Sequence, residues 1–314
     1  MIELVSFSES LNKDWDLVVS KSKNGNFLHL VDYWTYHYDR FEDHSLIIYI
    51  KNKPVAVFPA CKVDNTIVSH QGLTYSGLIY GNDLKVEMVE DIMSSIVSKY
   101  REEGINRILY KAIPYIFHKY PSQEDLYAIY KLGFKLYRRD VSTVIDFRED
   151  LPKTSSLRKR SVKKAIKSGV TIEESSDFEG YHLLLTEVLS KFKASPVHSV
   201  DELELLHSRF KEKIKLYVAK HDEKLVAGTI VYELGDVAHT QYLASSELGR
   251  EVGALDMILM HLIEKVYSDR KYFSFGISTE DNGMFLNKGL ISQKEGFGGR
   301  AVCHDFYELV LQDG

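Results

Sequence analysis

The sequence has few cysteines, few prolines and no long hydrophobic run. Its 314 residues include only two cysteines, Cys61 and Cys303, and six prolines. Two cysteines cannot staple a chain of this length, and neither has a histidine at metal-ligand spacing, so we expect free thiols, a reducing compartment and no metal site. No run of about 18 apolar residues occurs, which predicts that no helix spans a membrane. The first residues lack a signal-peptide pattern, so a cytoplasmic location is expected.

Excess positive charge is also missing. The formal net charge of −5 argues against a protein that coats nucleic acid with its whole surface. The remaining composition is that of a globular protein, with 44% hydrophobic and 27% charged residues. The 20 tyrosines suggest amphipathic walls around polar ligands as well as core packing. The length is roughly twice a domain of ~100–200 residues, which predicts two domains.

Strands and helices alternate along the chain, and the second half repeats the plan of the first. A long helix leading into a strand at Asp91–Lys111 has a counterpart at Leu255–Gly276, and Tyr130–Phe147 is echoed by Leu286–Phe306. The offset is about 160 residues in both cases, which favours a duplicated domain over two α/β domains that merely look alike. We therefore predict an N-terminal domain at 1–152 and a C-terminal domain at 153–314.

A glycine-containing turn precedes the long helix of the second half. It holds Gly249, Arg250, Gly253 and Ala254, directly after a strand predicted at Val237–Ala244. A helix N-terminus offers unpaired N–H donors and a positive dipole end, and glycines allow a phosphate to approach closely. The alternative is an ordinary strand-to-helix turn. We predict one helix from Gly249 to Ser268 after this turn, and a short helix at Met284–Lys288 closed by Gly289.

A basic segment opens the second domain. Seven cations and no acidic residue occur from Lys153 to Lys167. A narrow apolar stripe predicts a helix that docks on one side and carries its charges outward. The functional interpretation is a phosphate clamp for a phosphorylated acceptor, coenzyme A or a tRNA acceptor stem, and the alternative is a solvated linker helix. The candidate substrate-binding residues are Arg158, Arg160, Lys164, Tyr242 and Arg300.

Three segments resemble a known family. They are Ser76–Gly81, Leu157–Ser175 and Phe275–Arg300, and they are similar to the tandem GNAT-fold, FemAB or Fem-type transferases and their acetyltransferase-like relatives. The resemblance implies an α/β (α+β) fold of two tandem GNAT-like domains, each a mixed, mostly antiparallel sheet flanked by helices. It also implies a strand that contains Lys294 and Glu295.

The same resemblance implies an acetyl-coenzyme A site at the glycine turn. The family pattern is Arg or Gln, two residues, Gly, one residue, and Gly or Ala. Arg250 and Gly253 match it, whereas Leu255 replaces the small residue at its end. The implied donor-binding residues are Gly249, Arg250, Gly253 and Ala254. No metal is implied.

Acyl transfer to an amine needs a base that removes a proton and a donor that stabilises the oxyanion. The candidate bases are Glu280, Asp281 and His239. The alternatives are that Asp281 caps the helix at Met284 and that His239 is a buried structural residue.

The expected function is N-acetyl transfer from acetyl-CoA to an amine such as an amino sugar or a cell-envelope precursor. The expected partner is a small amine or a phosphate-linked sugar, with tRNA ranked lower because exposed aromatic residues are not readable in the sequence. The alternatives are tRNA-dependent aminoacyl transfer to a peptidoglycan precursor and a non-catalytic GNAT-fold binding module. The oligomeric state is not predicted.

Overall fold

The structure is a computed structural model and describes residues 1–149, 153–191 and 193–311. The elements of the first half are β1 Ile2–Ser6, α1 Asn12–Lys21, α2 Val31–Trp34, β2 Glu42–Asp43, β3 Leu46–Ile50, β4 Lys53–Phe58, β5 Cys61–Val63, β6 Thr66–Val68, β7 Ile79–Tyr80, α3 Val86–Glu102, β8 Arg107–Lys111, α4 Glu124–Lys131 and β9 Lys135–Asp146.

The second half continues the alternation of helices and strands. Its elements are α5 Ser156–Lys167, β10 Thr171–Ser175, α6 Phe178–Ser190, α7 Val200–Arg209, β11 Ile214–His221, β12 Lys224–Leu234, β13 Val237–Ser245, α8 Glu247–Val252, α9 Ala254–His261, β14 Tyr272–Ile277, β15 Thr279–Glu280, β16 Phe285–Leu286, α10 Lys288–Glu295 and β17 Arg300–Val310.

The chain forms two compact units whose limits differ from the simple halves. One unit is Met1–Asp140 together with the chain from Cys303 onward, and the other is Val141–Val302. The described residues from Cys303 to Leu311 therefore belong with the first unit. The predicted boundary between 152 and 153 borders residues 150–152, which lie outside the described residues, and the division at that point stays a prediction.

The first unit has two sheets. Strands β1, β3, β4 and β7 form one sheet in that order, with antiparallel pairing throughout. Strand β8 lies in the other sheet, between β6 and the last residues of β17. Helix α3 buries Val89, Ile92, Ile96 and Tyr100 on one side, as its apolar spacing predicts, and Gly104 follows its end with φ +76°.

The second unit repeats this order in one sheet. Its strands run β10, β11, β12, β13, β14 and the second part of β9. The first four pair antiparallel, as the equivalent four do in the first unit. The predicted repetition of one α/β plan is confirmed at the level of strand order.

The basic segment is a helix, as predicted. Ser155 caps α5 by accepting the N–H of Arg158 on its Oγ at 3.3 Å. Ala165 is the only residue of the helix that is buried. The exposed cations are Lys159, Arg160, Lys163, Lys164 and Lys167.

Three local predictions in the second half are wrong. The predicted helix at Gly249–Ser268 is divided at Gly253, which has φ +83° and ends α8 before α9 begins. The segment predicted as a helix at Met284–Lys288 forms β16, and Asn287 starts α10 by accepting the N–H of Leu290 at 3.0 Å. Because of that cap, Gly289 lies inside α10, and the predicted strand around Lys294 is the last turn of this helix.

Neither a membrane-spanning helix nor a metal-binding cluster occurs in the described ranges. No helix within them is long and apolar enough to cross a bilayer. Nor do the described His, Cys, Asp and Glu side chains form a group of three or more that could hold a metal ion.

Candidate functional site

The central strands β13 and β14 separate soon after they begin. They pair in parallel only from Val237 opposite Tyr272 to His239 opposite Ser274, although β13 continues to Ser245. On its other edge β13 stays paired with β12, with a bulge that leaves Gln241 without an opposite residue. Beyond His239, the main chain of β13 therefore has an edge with no partner from β14 in the described structure.

A cavity of about 550 Å³ lies beside this edge of the second unit. Leu243 and Ser245, two residues apart on β13, contribute one wall. The other walls come from α5, α6, the turn between α8 and α9, and α10. The lining residues are Leu157, Arg158, Ser161, Val188, Leu243, Ser245, Gly249, Arg250, Gly253, Leu255, Asp256, Gly289, Leu290 and Gln293.

The two predicted turn glycines line this cavity, but other atoms of the protein occupy the position that a Cβ would take at each of them. A Cβ at Gly249 would lie 2.2 Å from the carbonyl oxygen of Val226. A Cβ at Gly253 would lie 2.5 Å from Ser161 Oγ and 2.6 Å from the Ser161 carbonyl oxygen. Glycine is required at both positions because a strand and a helix approach so closely.

The remaining predicted donor residues lie at the same turn. Arg250 is exposed and donates from Nη1 to the carbonyl oxygen of Ser245 at 2.8 Å. Ala254 is fully buried at the first position of α9. Leu255, which departs from the family pattern, lines the cavity. The structure therefore brings Gly249, Arg250 and Gly253 to one cavity, with Ala254 packed behind it.

Arg158 is the predicted substrate-binding residue that reaches this cavity. Its Nη1 donates to both carboxylate oxygens of Asp256, at 2.9 and 2.7 Å. Gln293 donates to Asp256 Oδ1 at 3.3 Å. Asp256 is only 5% exposed, so the ion pair joins α5, α9 and α10 at the cavity wall.

The other predicted substrate-binding residues lie elsewhere. Arg160 and Lys164 are exposed and do not line the cavity. Tyr242 pairs with His198, whose Nδ1 is 2.5 Å from the tyrosine oxygen. Burial raises the pKa of Tyr242 to about 12. Arg300 lines a second cavity of about 450 Å³, which shares Leu157 and Arg158 with the first.

The three predicted bases do not line the first cavity. His239 is buried at the last paired position of β13, with its Nδ1 3.0 Å from Ser274 Oγ. Glu280 is exposed in β15, where its Oε1 accepts from Asn287 Nδ2 at 2.8 Å. Asp281 does not cap a helix at Met284, since that helix does not form; it lies in a tight turn with φ +48°.

The sequence patterns did not identify Lys294 as a buried residue of this region. Lys294 is only 3% exposed, and its Nζ donates to the carbonyl oxygens of Gly276 and Ile277 at 3.0 and 2.6 Å. These carbonyls belong to the separated end of β14. Burial lowers the pKa of Lys294 to about 7. The strand that the family resemblance implies around Lys294 and Glu295 gives no indication that this lysine is buried.

The sequence patterns also did not identify Asp256 and Gln293 as residues of the cavity wall. The signal that marked Asp256 is its position as the one acid in the apolar segment from Ala254 to Met260. A carboxylate that a helix buries needs a partner, because burial of an unpaired charge is costly. The sequence does not indicate that this partner is Arg158, which lies 98 residues earlier.

The chain has the GNAT fold, and part of its second unit matches a GNAT domain. Residues 156–282 match the family model described as the acetyltransferase (GNAT) domain. Among solved structures, the chain is similar to FemX, with 13% identity, a TM-score of 0.67, and coverage of 98% of this chain and 97% of that chain.

Two further structures share this fold over the whole chain. L-PGS from Bacillus licheniformis is 12% identical, with a TM-score of 0.64 and coverage of 98% of this chain and 94% of that chain. A tandem GNAT protein from the clavulanic acid biosynthesis pathway is 11% identical, with a TM-score of 0.56 and full coverage of both chains. No curated protein sequence matches the chain. The predicted resemblance to tandem GNAT-fold, Fem-type transferases is confirmed.

Proposed function

We propose that the protein is an acyltransferase that moves an acetyl group from acetyl-CoA to an amine, such as that of an amino sugar or a cell-envelope precursor. The observation that carries the proposal is the free edge of β13 beside the 550 Å³ cavity, at the turn where α8 and α9 meet. Main-chain N–H groups on such an edge are fixed donors for a carbonyl oxygen that gains negative charge.

In this proposal, residues of β13 and residues of the helices around the cavity have separate roles. Leu243 and Ser245 line the wall against which the donor lies, and Arg158 and Arg250 face its phosphates. His239 is the proposed base, because it is the candidate at the point where β13 leaves β14. The amine attacks the carbonyl carbon of the acetyl-CoA thioester directly, the C–S bond breaks, and coenzyme A leaves as a thiolate that takes a proton from solvent. The amine proton goes to His239 through water, because His239 does not line the cavity.

Aminoacyl transfer from tRNA to a peptidoglycan precursor is the second candidate. Two observations favour it. A Cβ at Gly249 or Gly253 would meet Val226 and Ser161, so packing within the protein already explains why these residues are glycines, without a bound phosphate. The fold is also that of FemX and L-PGS.

Calorimetric titration with coenzyme A tests the proposal. We expect saturable binding that Leu243→Trp weakens at least tenfold, because the indole fills the cavity. Leu248→Trp is the matched control, since Leu248 is 39% exposed and does not line the cavity. An acetyl-transfer assay with thiol detection over a panel of amines then identifies the acceptor, and His239→Gln should lower turnover more than coenzyme A binding.

Other results would assign another function. Absence of coenzyme A binding, with salt-sensitive retention of aminoacyl-tRNA, would replace acetyl transfer by aminoacyl transfer. Absence of both would leave a non-catalytic GNAT-fold module that binds a glycan or another partner.

A further inference from the structure

The guanidinium of Arg158 is bound to its carboxylate partner through one nitrogen only. Both oxygens of Asp256 accept from Nη1, at 2.9 and 2.7 Å. The Nε atom of Arg158 is buried and has no hydrogen-bond partner among the described residues. Arginine pairs with a carboxylate most strongly through two parallel N–H donors. Here both oxygens of Asp256 accept from Nη1, so the Nε–H donor of Arg158 makes no hydrogen bond to this carboxylate.

A buried N–H without a partner in a folded protein indicates an unseen water, ion or ligand group. Arg158 lies at a wall shared by two cavities of the second unit, of about 550 and 450 Å³. The Arg158 side chain is therefore beside space large enough for a ligand, while its Nε atom is itself buried.

The contacts of Arg158 fix its position before any ligand binds. Asp256 is 5% exposed and accepts a second hydrogen bond from Gln293 at 3.3 Å. The aliphatic part of Arg158 packs on Gly296, where an added Cβ would lie 3.1 Å from Arg158 Cγ. Ser155 holds the start of α5 by donating its N–H to the Gly296 carbonyl oxygen at 2.8 Å. A side chain fixed in this way loses little conformational entropy on binding.

The charges around Arg158 favour an anion. The charged residues that line the first cavity are Arg158, Arg250 and Asp256. Those that line the second are Arg158, Arg300 and Glu295. Asp256 already engages Arg158, so Arg250 leaves a positive excess in the first cavity, whereas Arg300 and Glu295 balance each other in the second.

We propose that Arg158 binds an oxyanion of the phosphate type through Nε and Nη2, and that Asp256 is the positioning residue that holds the guanidinium for this contact. The inference rests on the proposed function in taking the phosphate to be that of the acyl donor. The sequence predicts two phosphate sites, the main chain around Gly253 and the basic helix with Arg158. The buried Nε of Arg158 without a partner favours the basic helix, which packs through Ser161 against Gly253.

Calorimetry with three probes tests this site: coenzyme A, inorganic pyrophosphate and pantetheine, which lacks the phosphates. We expect Arg158→Lys to weaken coenzyme A and pyrophosphate at least tenfold and to leave pantetheine unchanged, because lysine keeps the charge but not the Nε donor. Lys159→Gln, an exposed neighbour on α5, is the matched control and should bind all three as the wild type does.

Asp256→Asn separates positioning from folding. We expect it to weaken the two phosphate probes and to spare pantetheine, since Arg158 is then present but less well held. The Nε–H resonance of Arg158 in the wild-type protein gives a readout that needs no folded variant. It should shift during a titration with pyrophosphate.

These experiments distinguish a wrong assignment of the Arg158 phosphate site from a wrong assignment of acetyl-CoA as the donor. Equal affinity of wild type and Arg158→Lys for coenzyme A would overturn the site and leave acetyl-CoA as donor. So would an Nε–H resonance that does not move with pyrophosphate. Pyrophosphate binding that Arg158→Lys abolishes, without coenzyme A binding, would support the site and refute the donor. An equal loss in Lys159→Gln would assign the effect to the outer face of α5 and overturn the site.

Discussion

Ser161 of α5 lies directly against Gly253, the residue that separates α8 from α9. The close approach of α5 to the turn between α8 and α9 depends on the absence of a side chain at position 253, where φ is +83°. The basic helix is thus fastened to the turn through main-chain contact, in addition to the ion pair of Arg158 and Asp256.

Gly253→Ala is expected to destabilise the protein. The new Cβ would clash with both the hydroxyl and the carbonyl oxygen of Ser161, and the positive φ adds strain. Together these effects should lower the free energy of unfolding by roughly 2–4 kcal/mol. Urea unfolding measures the change. Adding Ser161→Gly should restore only part of it, because the carbonyl oxygen remains, and full restoration would show that the hydroxyl alone matters.

Lys294 should make stability depend on pH in the alkaline range. Its folded-state pKa is lowered to about 7 from an ordinary 10.5. Between these values the unfolded chain binds the proton more tightly, so stability rises with pH from 7 to 10. Urea unfolding at several pH values should show a smaller rise for Lys294→Met than for the wild type. Lys288→Met, at an exposed position of α10, should keep the wild-type slope.

His29 should contribute to acid unfolding of the first unit. Burial lowers its pKa to about 4 from 6.5. The unfolded chain therefore takes up the proton first, and stability falls as the pH drops from 6.5 to 4. His29→Gln keeps an acceptor for the N–H of Asn26, which the ring Nδ1 accepts at 3.1 Å. Thermal unfolding of this variant should depend less on pH in that window, whereas the exposed-site variant His261→Gln should follow the wild type.

Tyr110 joins two buried polar groups of the first unit. Its hydroxyl accepts the N–H of Leu78 at 2.9 Å and donates to Asp125 Oδ2 at 2.5 Å. Tyr110→Phe leaves both without this partner and should cost about 1–3 kcal/mol of unfolding free energy. The pKa of Asp125, raised by burial to about 6, should rise further, which carboxyl NMR titration detects. Tyr130→Phe, at a residue 77% exposed, should change neither quantity.

The amino-acid sequence determined the repeated plan and most of the elements. Local patterns of apolar residues and turn residues are sufficient for this, because helices such as α3 and hairpins such as β11–β12 are built from neighbours in the chain. It failed at Met284–Lys288, where an Asn at 287 caps a later helix and the positive φ values of Asp281 and Asn282 turn the chain into a hairpin.

What only the tertiary structure decided is how the predicted glycine turn is used. Gly249, Arg250 and Gly253 line one cavity, as their separation of only four residues in the sequence leads one to expect, and their role as a donor site stays a prediction. The sequence did not indicate that α5 covers Gly253, that Asp256 holds Arg158, or that Lys294 is buried against the end of β14. These contacts join residues far apart in the chain, and only the packing of several elements brings them together. Periodicity carries no record of such contacts, because a local pattern can mark a residue such as Asp256 as buried but does not show which distant residue it contacts.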